Sequence, residues 1–203
     1  MGDLSGDCRV DLNDLLVFTA QWLDDTGCSG LGCADMDGDN NVDAVDFALL
    51  AANWFKQGHP LVINEFMASN TSTPTDPCGD FPDWIEIYNV SSLQVNLKDW
   101  HLTDNLNNLT KWEFPALQID PGQFLLVFAS DKDLRDPTGP LHTNFKLSAG
   151  GEYLALVRPD EAIVHEYAPE YPQQLTDVSY GLAFGLDTPV FFINPTPGAE
   201  NGL

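Results

Sequence analysis

The first 57 residues hold 11 Asp, no Glu, and only Arg9 and Lys56 as bases, a local charge of −9 within a chain total of −23. Solubility alone does not exclude Glu, whereas a small rigid cage for a hard cation favours the shorter Asp arm. The aspartates are also spaced. Asp3-Leu-Ser-Gly-Asp-Cys-Arg-Val-Asp-Leu-Asn-Asp14 recurs 32 residues later as Asp35-Met-Asp-Gly-Asp-Asn-Asn-Val-Asp-Ala-Val-Asp46. Oxygen-bearing side chains fall at loop positions 1, 3, 5, 9 and 12: Asp3, Ser5, Asp7, Asp11 and Asp14, then Asp35, Asp37, Asp39, Asp43 and Asp46. Position 7 supplies a backbone carbonyl, from Arg9 and Asn41. This is the oxygen pattern of a calcium loop closing onto a helix, and its duplication predicts two Ca2+ sites.

These loops need elements to hold them. Each runs into an apolar stretch ending in Trp22-Leu23 or Trp54-Phe55, so each is followed by one helix. The expected core sets Val10, Leu12, Leu15, Leu16, Phe18, Thr19, Trp22 and Leu23 against Val42, Val45, Phe47, Leu49, Leu50, Trp54 and Phe55. A core this small is marginal, and crowded carboxylates repel without a cation, so ion binding is expected to supply much of the folding energy. Two features depart from the usual EF-hand loop. Position 12 is Asp, and position 6, commonly Gly, is Cys8 or Asn40, with Gly6 and Gly38 at position 4. Asn adopts the left-handed backbone more readily than Cys.

A loop followed by one helix, duplicated, with Asp at position 12, resembles the type I dockerin module over about residues 2–57. The resemblance implies two F-hand calcium sites and a helical face that binds a cohesin domain, with selectivity set largely at loop positions 10 and 11. Those positions are Leu12-Asn13 and Ala44-Val45 here, unlike one another and without the hydroxyl pair common in cellulosomal modules. Antiparallel helices about a pseudo-twofold axis would place each loop beside the end of the other helix. Cys28 and Cys33 would then share the connector and form a local bridge, leaving Cys8 to reach Cys78.

Composition bounds the rest. With 43% hydrophobic residues among 203, the chain can bury a core, and eight Lys and Arg against 31 acids exclude phosphate-tracking partners such as nucleic acid or an anionic membrane. No apolar run reaches the length of a membrane span. Met1-Gly2-Asp3 has no leader character, so the chain is expected to begin inside a longer polypeptide. Four cysteines allow two disulfides in three connectivities, or free thiols in a reducing compartment. Paired with calcium loops, they suit an exported protein at the cell surface or outside the cell. Zinc would need a second close ligand pair, and the four His are scattered.

Beyond a boundary at residues 58–60 the period changes to two. Segments 61–66, 83–88, 95–97, 100–103, 111–114, 123–128, 152–157 and 162–167 read as short strands separated by turn signals, which predicts an all-β sandwich. Ile63-Asn-Glu-Phe66, Asp83-Trp-Ile-Glu-Ile-Tyr-Asn89, Asn144-Phe-Lys-Leu147 and Asp177-Val-Ser-Tyr-Gly181 resemble, in order, the bacterial form of the lamin-tail domain. That family implies an immunoglobulin-like sandwich without a catalytic centre, carried as an accessory module on exported multidomain proteins. The expected layout is a dockerin-like all-α F-hand pair at 1–57, a linker at 58–60, an all-β sandwich at 61–184 and a C-terminal linker at 185–203.

No enzyme site is expected in the sandwich. Glu65 and Glu86, with Asp83 and Asp104 at strand ends, could be imagined as an acid/base pair. Alternation, however, puts Glu86 opposite Ile85 and Ile87, on the face expected to meet solvent. Ser69, Ser130, Ser148 and Ser179 lack a nucleophile-elbow context. Trp84, Trp100 and Trp112 are expected to pack in the core. A stacking platform for glycans is the other reading, and it would make the chain a carbohydrate-binding accessory to a polysaccharide-degrading enzyme. The expected partner is accordingly a protein domain, cohesin-like or intramolecular, or a cell-surface glycan, with the chain monomeric.

Overall fold

A computed structural model describes residues 2–6, 10–53, 60–183 and 188–202. Asp7, Cys8, Arg9, Trp54 and Phe55 lie outside the described residues. The chain divides into two compact units, Met1–Pro60 with Ser91–Leu93, and Leu61–Val90 with Gln94–Leu203. No helix among the described residues is long and apolar enough to cross a membrane.

The first unit contains α1 (Leu12–Ala20) and α2 (Ala44–Ala52). Each starts on a capping box: Asp11 and Asp43 accept the N–H of Asn13 and Val45, and Asp14 and Asp46 reach back to the cap N–H. Position 9 of each loop is thus the helix cap, and position 12 its third residue. The core is narrower than helical periodicity suggests. Leu4, Val10, Phe18, Ala34, Val42 and Leu50 are buried, with Leu15, Val17 and Met36 partly so. Leu12, Leu16, Trp22, Leu23, Val45 and Phe47, all expected inside, are exposed. A nine-residue helix in so small a unit buries a single stripe, and the rest of its apolar residues stay outside.

Among its described residues the second unit contains twelve strands: β1 (Leu61–Met67), β2 (Asp83–Asn89), β3 (Val95–Asn96), β4 (His101–Thr103), β5 (Trp112–Glu113), β6 (Gln118–Ile119), β7 (Phe124–Ala129), β8 (Leu141–His142), β9 (Leu154–Val157), β10 (Ile163–Tyr167), β11 (Ser179–Leu182) and β12 (Pro189–Phe192). They form a six-stranded sheet in the order β12-β11-β1-β2-β7-β8, a four-stranded sheet β10-β9-β4-β5 and a small β3-β6 ladder. All named pairs are antiparallel except β7 with β8. Ile63, Phe66, Ile85, Ile87 and Val127 from the first sheet share one core with Leu102, Trp112, Leu154, Leu156 and Tyr167 from the second. This is the sandwich arrangement. The buried Tyr167 hydroxyl crosses it, donating to the Ile63 carbonyl at 3.0 Å.

The expected core placement of the tryptophans holds, and two other expectations are corrected. Trp84, Trp100 and Trp112 are all buried, the first against Met67 and Phe128 and the others in the main core, so they form no glycan platform. Glu86 does lie on the face away from Ile85 and Ile87, but that face is covered and Glu86 is 0% exposed. The cover comes from the segment expected to be a C-terminal linker. Residues 189–192 form the edge strand β12, and the residues after them hydrogen-bond back onto β1 and β2.

Candidate metal centre

The two Asp-rich loops share one scaffold. In the first, Asp14 Oδ1 accepts the N–H groups of Leu4 (2.7 Å) and Ser5 (2.9 Å), and Oδ2 accepts that of Asp11 (2.7 Å). In the second, Asp46 Oδ1 accepts those of Met36 (2.6 Å) and Asp37 (3.2 Å), and Oδ2 that of Asp43 (2.9 Å). Position 1 repeats the correspondence, with Gly6 N–H on Asp3 and Gly38 N–H on Asp35, both at 2.8 Å. Asp14 and Asp46 are 0% exposed. The short Asp arm at position 12 therefore ties the start of each loop to the first turn of its helix.

Asn40, at position 6 of the second loop, has φ +71°, the left-handed conformation that position requires. Its N–H donates to Asp35 Oδ2 at 3.0 Å, while Asp39 N–H and Asn41 N–H reach Asp37 and Asp39. The result converges positions 1, 3 and 5: one carboxylate oxygen each from Asp35, Asp37 and Asp39 lies within 4.8 Å of the others. All-oxygen donors at this spacing suit a hard divalent cation. Electrostatics agree with a centre short of positive charge. The Asp37 carboxyl is held above its ordinary range, first by desolvation and then by the charges of Asp39, Asp46 and Asp35. At Asp46 burial opposes the charge, yet the N–H groups of Asp43, Met36 and Asp37 outweigh it and hold the carboxyl low. In the first loop Asp3, Ser5, Asp11 and Asp14 are described, whereas Asp7 and Arg9 are not.

The connector between the repeats is stapled by a Cys28–Cys33 disulfide. Gln21, which sequence reasoning passed over, ties α1 to it by donating to the Gly32 carbonyl at 2.6 Å and accepting the Ala34 N–H at 3.1 Å. Leu23 N–H donates to Val42 O and Val42 N–H to Asp24 O, both at 2.9 Å, so the second loop sits at the end of α1 as antiparallel packing predicts. Of the expected Cys8–Cys78 pair, Cys8 lies outside the described residues. Cys78 is an exposed free thiol on a surface turn closed by Asp76, whose Oδ1 accepts the N–H groups of Cys78 and Asp80.

The sandwich offers less chemistry. Ser130 Oγ is 2.8 Å from His142 Nδ1, but that ring is buried and stacked on Phe128, and burial pushes its pKa down. Asp83 borders an open cleft of about 300 Å³ with Phe81, Lys132 and Lys146, and desolvation pushes its carboxyl up to about 6.

A duplicated acidic loop-and-helix unit followed by an antiparallel sandwich makes this a two-module chain. Residues 56–170 match the family model described as Lamin Tail Domain, and residues 1–53 match Dockerin type I domain. The chain belongs to the lamin tail domain family and carries a type I dockerin module ahead of it. No curated protein matches it. The lamin-tail match closes at residue 170, although β11 lies beyond that point and is hydrogen-bonded to β1 in the main sheet.

Proposed function

We propose that the N-terminal module binds two calcium ions and that this binding orders its helix pair for docking to a protein domain. The first ion is held by Asp3, Ser5, Asp7, Asp11, Asp14 and the Arg9 carbonyl, the second by Asp35, Asp37, Asp39, Asp43, Asp46 and the Asn41 carbonyl. Calcium supplies the positive charge that gathered carboxylates otherwise lack. The observation that carries this reading is the convergence of Asp35, Asp37 and Asp39 within 4.8 Å on a loop already clamped by Asp46. Type I dockerin domains generally bind calcium and cohesins, which supports both the ion and a protein-domain partner.

The docking surface on this reading is the apolar set that the small core leaves outside. Leu12 and Leu16, one turn apart on α1, are each 68% exposed, and Val45 is exposed on α2. Leu12 is at position 10 of the first loop and Val45 at position 11 of the second, so three of the four residues that choose the partner are apolar, Asn13 is polar, and the pair differs between repeats. The partner is a cohesin-like domain or another domain of the same polypeptide. The lamin-tail sandwich is carried beside this module as a non-catalytic accessory. We place the protein outside the cell, where calcium is abundant and the Cys28–Cys33 bridge persists.

The test is a calcium titration of the chelator-stripped chain, followed by calorimetry and by the NMR spectrum of the loop amides. Two bound ions and newly dispersed resonances in residues 2–53 are expected, with one ion lost in Asp37→Asn/Asp39→Asn. A stripped chain that takes up no calcium, or whose N-terminal resonances do not change on adding it, would falsify the proposal.

A further inference from the structure

The outer face of the six-stranded sheet holds two carboxylates with no exposed surface. Glu65 on β1 and Glu86 on β2 stand directly opposite one another, just past a register shift between Ile63 and Glu65. The segment after β12 lies over them. Thr196 N–H donates to Glu65 Oε1 and Oε2 at 3.2 and 3.3 Å, and Ser179 Oγ donates to Oε1. Gly198 N–H donates to Glu86 Oε2, and Asn64 Nδ2 to Oε1 at 2.9 Å. The segment is pinned further on by Asn201, whose Nδ2 donates to the Asn64 carbonyl at 3.1 Å and the Leu182 carbonyl at 2.8 Å. Thr196 Oγ1 donates to Asn201 Oδ1 at 2.7 Å, bracing the turn internally.

Every donor to the pair is neutral. Among the described residues no Lys, Arg or His forms an ion pair with either acid. The groups around them are Asn64 on β1, the apolar Leu126 opposite Glu86 on β7, Tyr167 on β10, Ser179 and Tyr180 on β11, and Glu200, exposed on the covering segment. β12 brings no titratable group. The Tyr167 hydroxyl is itself pushed up, mainly by burial and further by Tyr180 and the charge of Glu65.

Two like charges removed from water without a counter-ion are strongly disfavoured, whereas a pair holding one proton buries a single charge. The site can accommodate that proton. A neutral Glu86 still accepts Gly198 N–H at Oε2, and a proton on Oε1 donates to Asn64 Oδ1 once the amide is turned over. We propose that residues 194–202 form a latch on the outer face of the sandwich, seated while the Glu65–Glu86 pair holds a proton and loosened when the pair gives it up. In the seated state desolvation pushes Glu86 up to about 7, against the pull of the Gly198 and Asn64 hydrogen bonds and with the push of Glu65. Burial likewise raises Glu65. Lifting the latch readmits water and returns both acids toward their ordinary values, so rising pH favours the open form.

Amide hydrogen exchange of the whole chain with calcium present reads this at the two latch donors. Protection of Thr196 and Gly198, corrected for intrinsic rate, should fall about tenfold or more between about pH 5.5 and about pH 8 while central β2 amides stay protected. Glu86→Gln, a neutral isostere, should keep the latch protected at both. Equal protection of the native chain at the two values overturns the latch, as does a pH dependence that survives in Glu86→Gln. Should that variant not fold, Ser179→Ala removes one donor that favours the charged pair. It should move the midpoint of the exchange transition upward, and an unmoved midpoint overturns the proposal equally.

Discussion

Asp46 in the N-terminal unit and Glu86 in the sandwich are both carboxylates with no exposed surface, yet their proton affinities move in opposite directions. Asp46 receives backbone N–H groups from Met36, Asp37 and Asp43 and is held low. Glu86 receives one backbone N–H and one side-chain amide, faces a second buried acid, and is raised to about 7. Burial alone therefore does not set the charge of an acid here; the donors and charges that face it count as well. The loops spend their backbone on keeping carboxylates ionised, as a cation site requires. Glu65 and Glu86 each meet a single backbone N–H, and both are raised instead.

The largest expected effect is on the sandwich. Its folded state raises Glu86 from 4.5 to about 7, so the folded form holds the proton more tightly than the unfolded chain. The stabilisation Glu86 contributes should be fully present below about pH 4.5 and should fall by about 3 kcal/mol as pH rises to about 7. Asp83, raised to about 6, adds a loss in the same direction. Over this window Asp46, held low, stays ionised and adds no such loss to the N-terminal unit. Calorimetry resolving the two transitions would break the contrast if both moved together. A smaller effect concerns the staple. The Cys28–Cys33 bridge spans only 5 residues of sequence, and reducing it should weaken the N-terminal transition by about 2 kcal/mol and leave the sandwich transition in place. The smallest sharpens the donor argument: Asp46→Ala orphans three N–H groups and should cost the N-terminal unit about 1–2 kcal/mol in denaturant unfolding with a chelator present. Asp14→Ala should match it, because the two networks correspond bond for bond.

Much of this architecture was legible because it is local. Asp11, Asp14, Asp43 and Asp46 announce both a loop and the helix that follows it, and all eight expected strands are present, from the alternation of 61–66 to that of 162–167. What escaped is long-range. Alternation assigned Glu86 to the correct face but not to its environment, since the cover arrives from the far end of the chain. Residues 179–182 and 189–192 carry Ser, Gly and Pro and too little alternation to read as strands, though β11 and β12 complete the main sheet. Gly181 hints at the reason only once folded: a Cβ there would lie 2.1 Å from the Asn64 carbonyl oxygen. Leu12 and Leu16 were counted as core because periodicity reports which residues are apolar, not how many a 60-residue unit can enclose. In the candidate site, spacing picked out Asp35, Asp37 and Asp39, which the structure brings together, but Gln21 and its grip on the connector left no pattern to find.

Tension applied beyond Asn201 would be met first by the bonds from Asn201, Gly198 and Thr196, which sit in series ahead of the β11–β12 ladder. These anchors would rupture one after another before any strand is pulled from the sheet, so the C-terminal segment would act as a shock absorber for the sandwich.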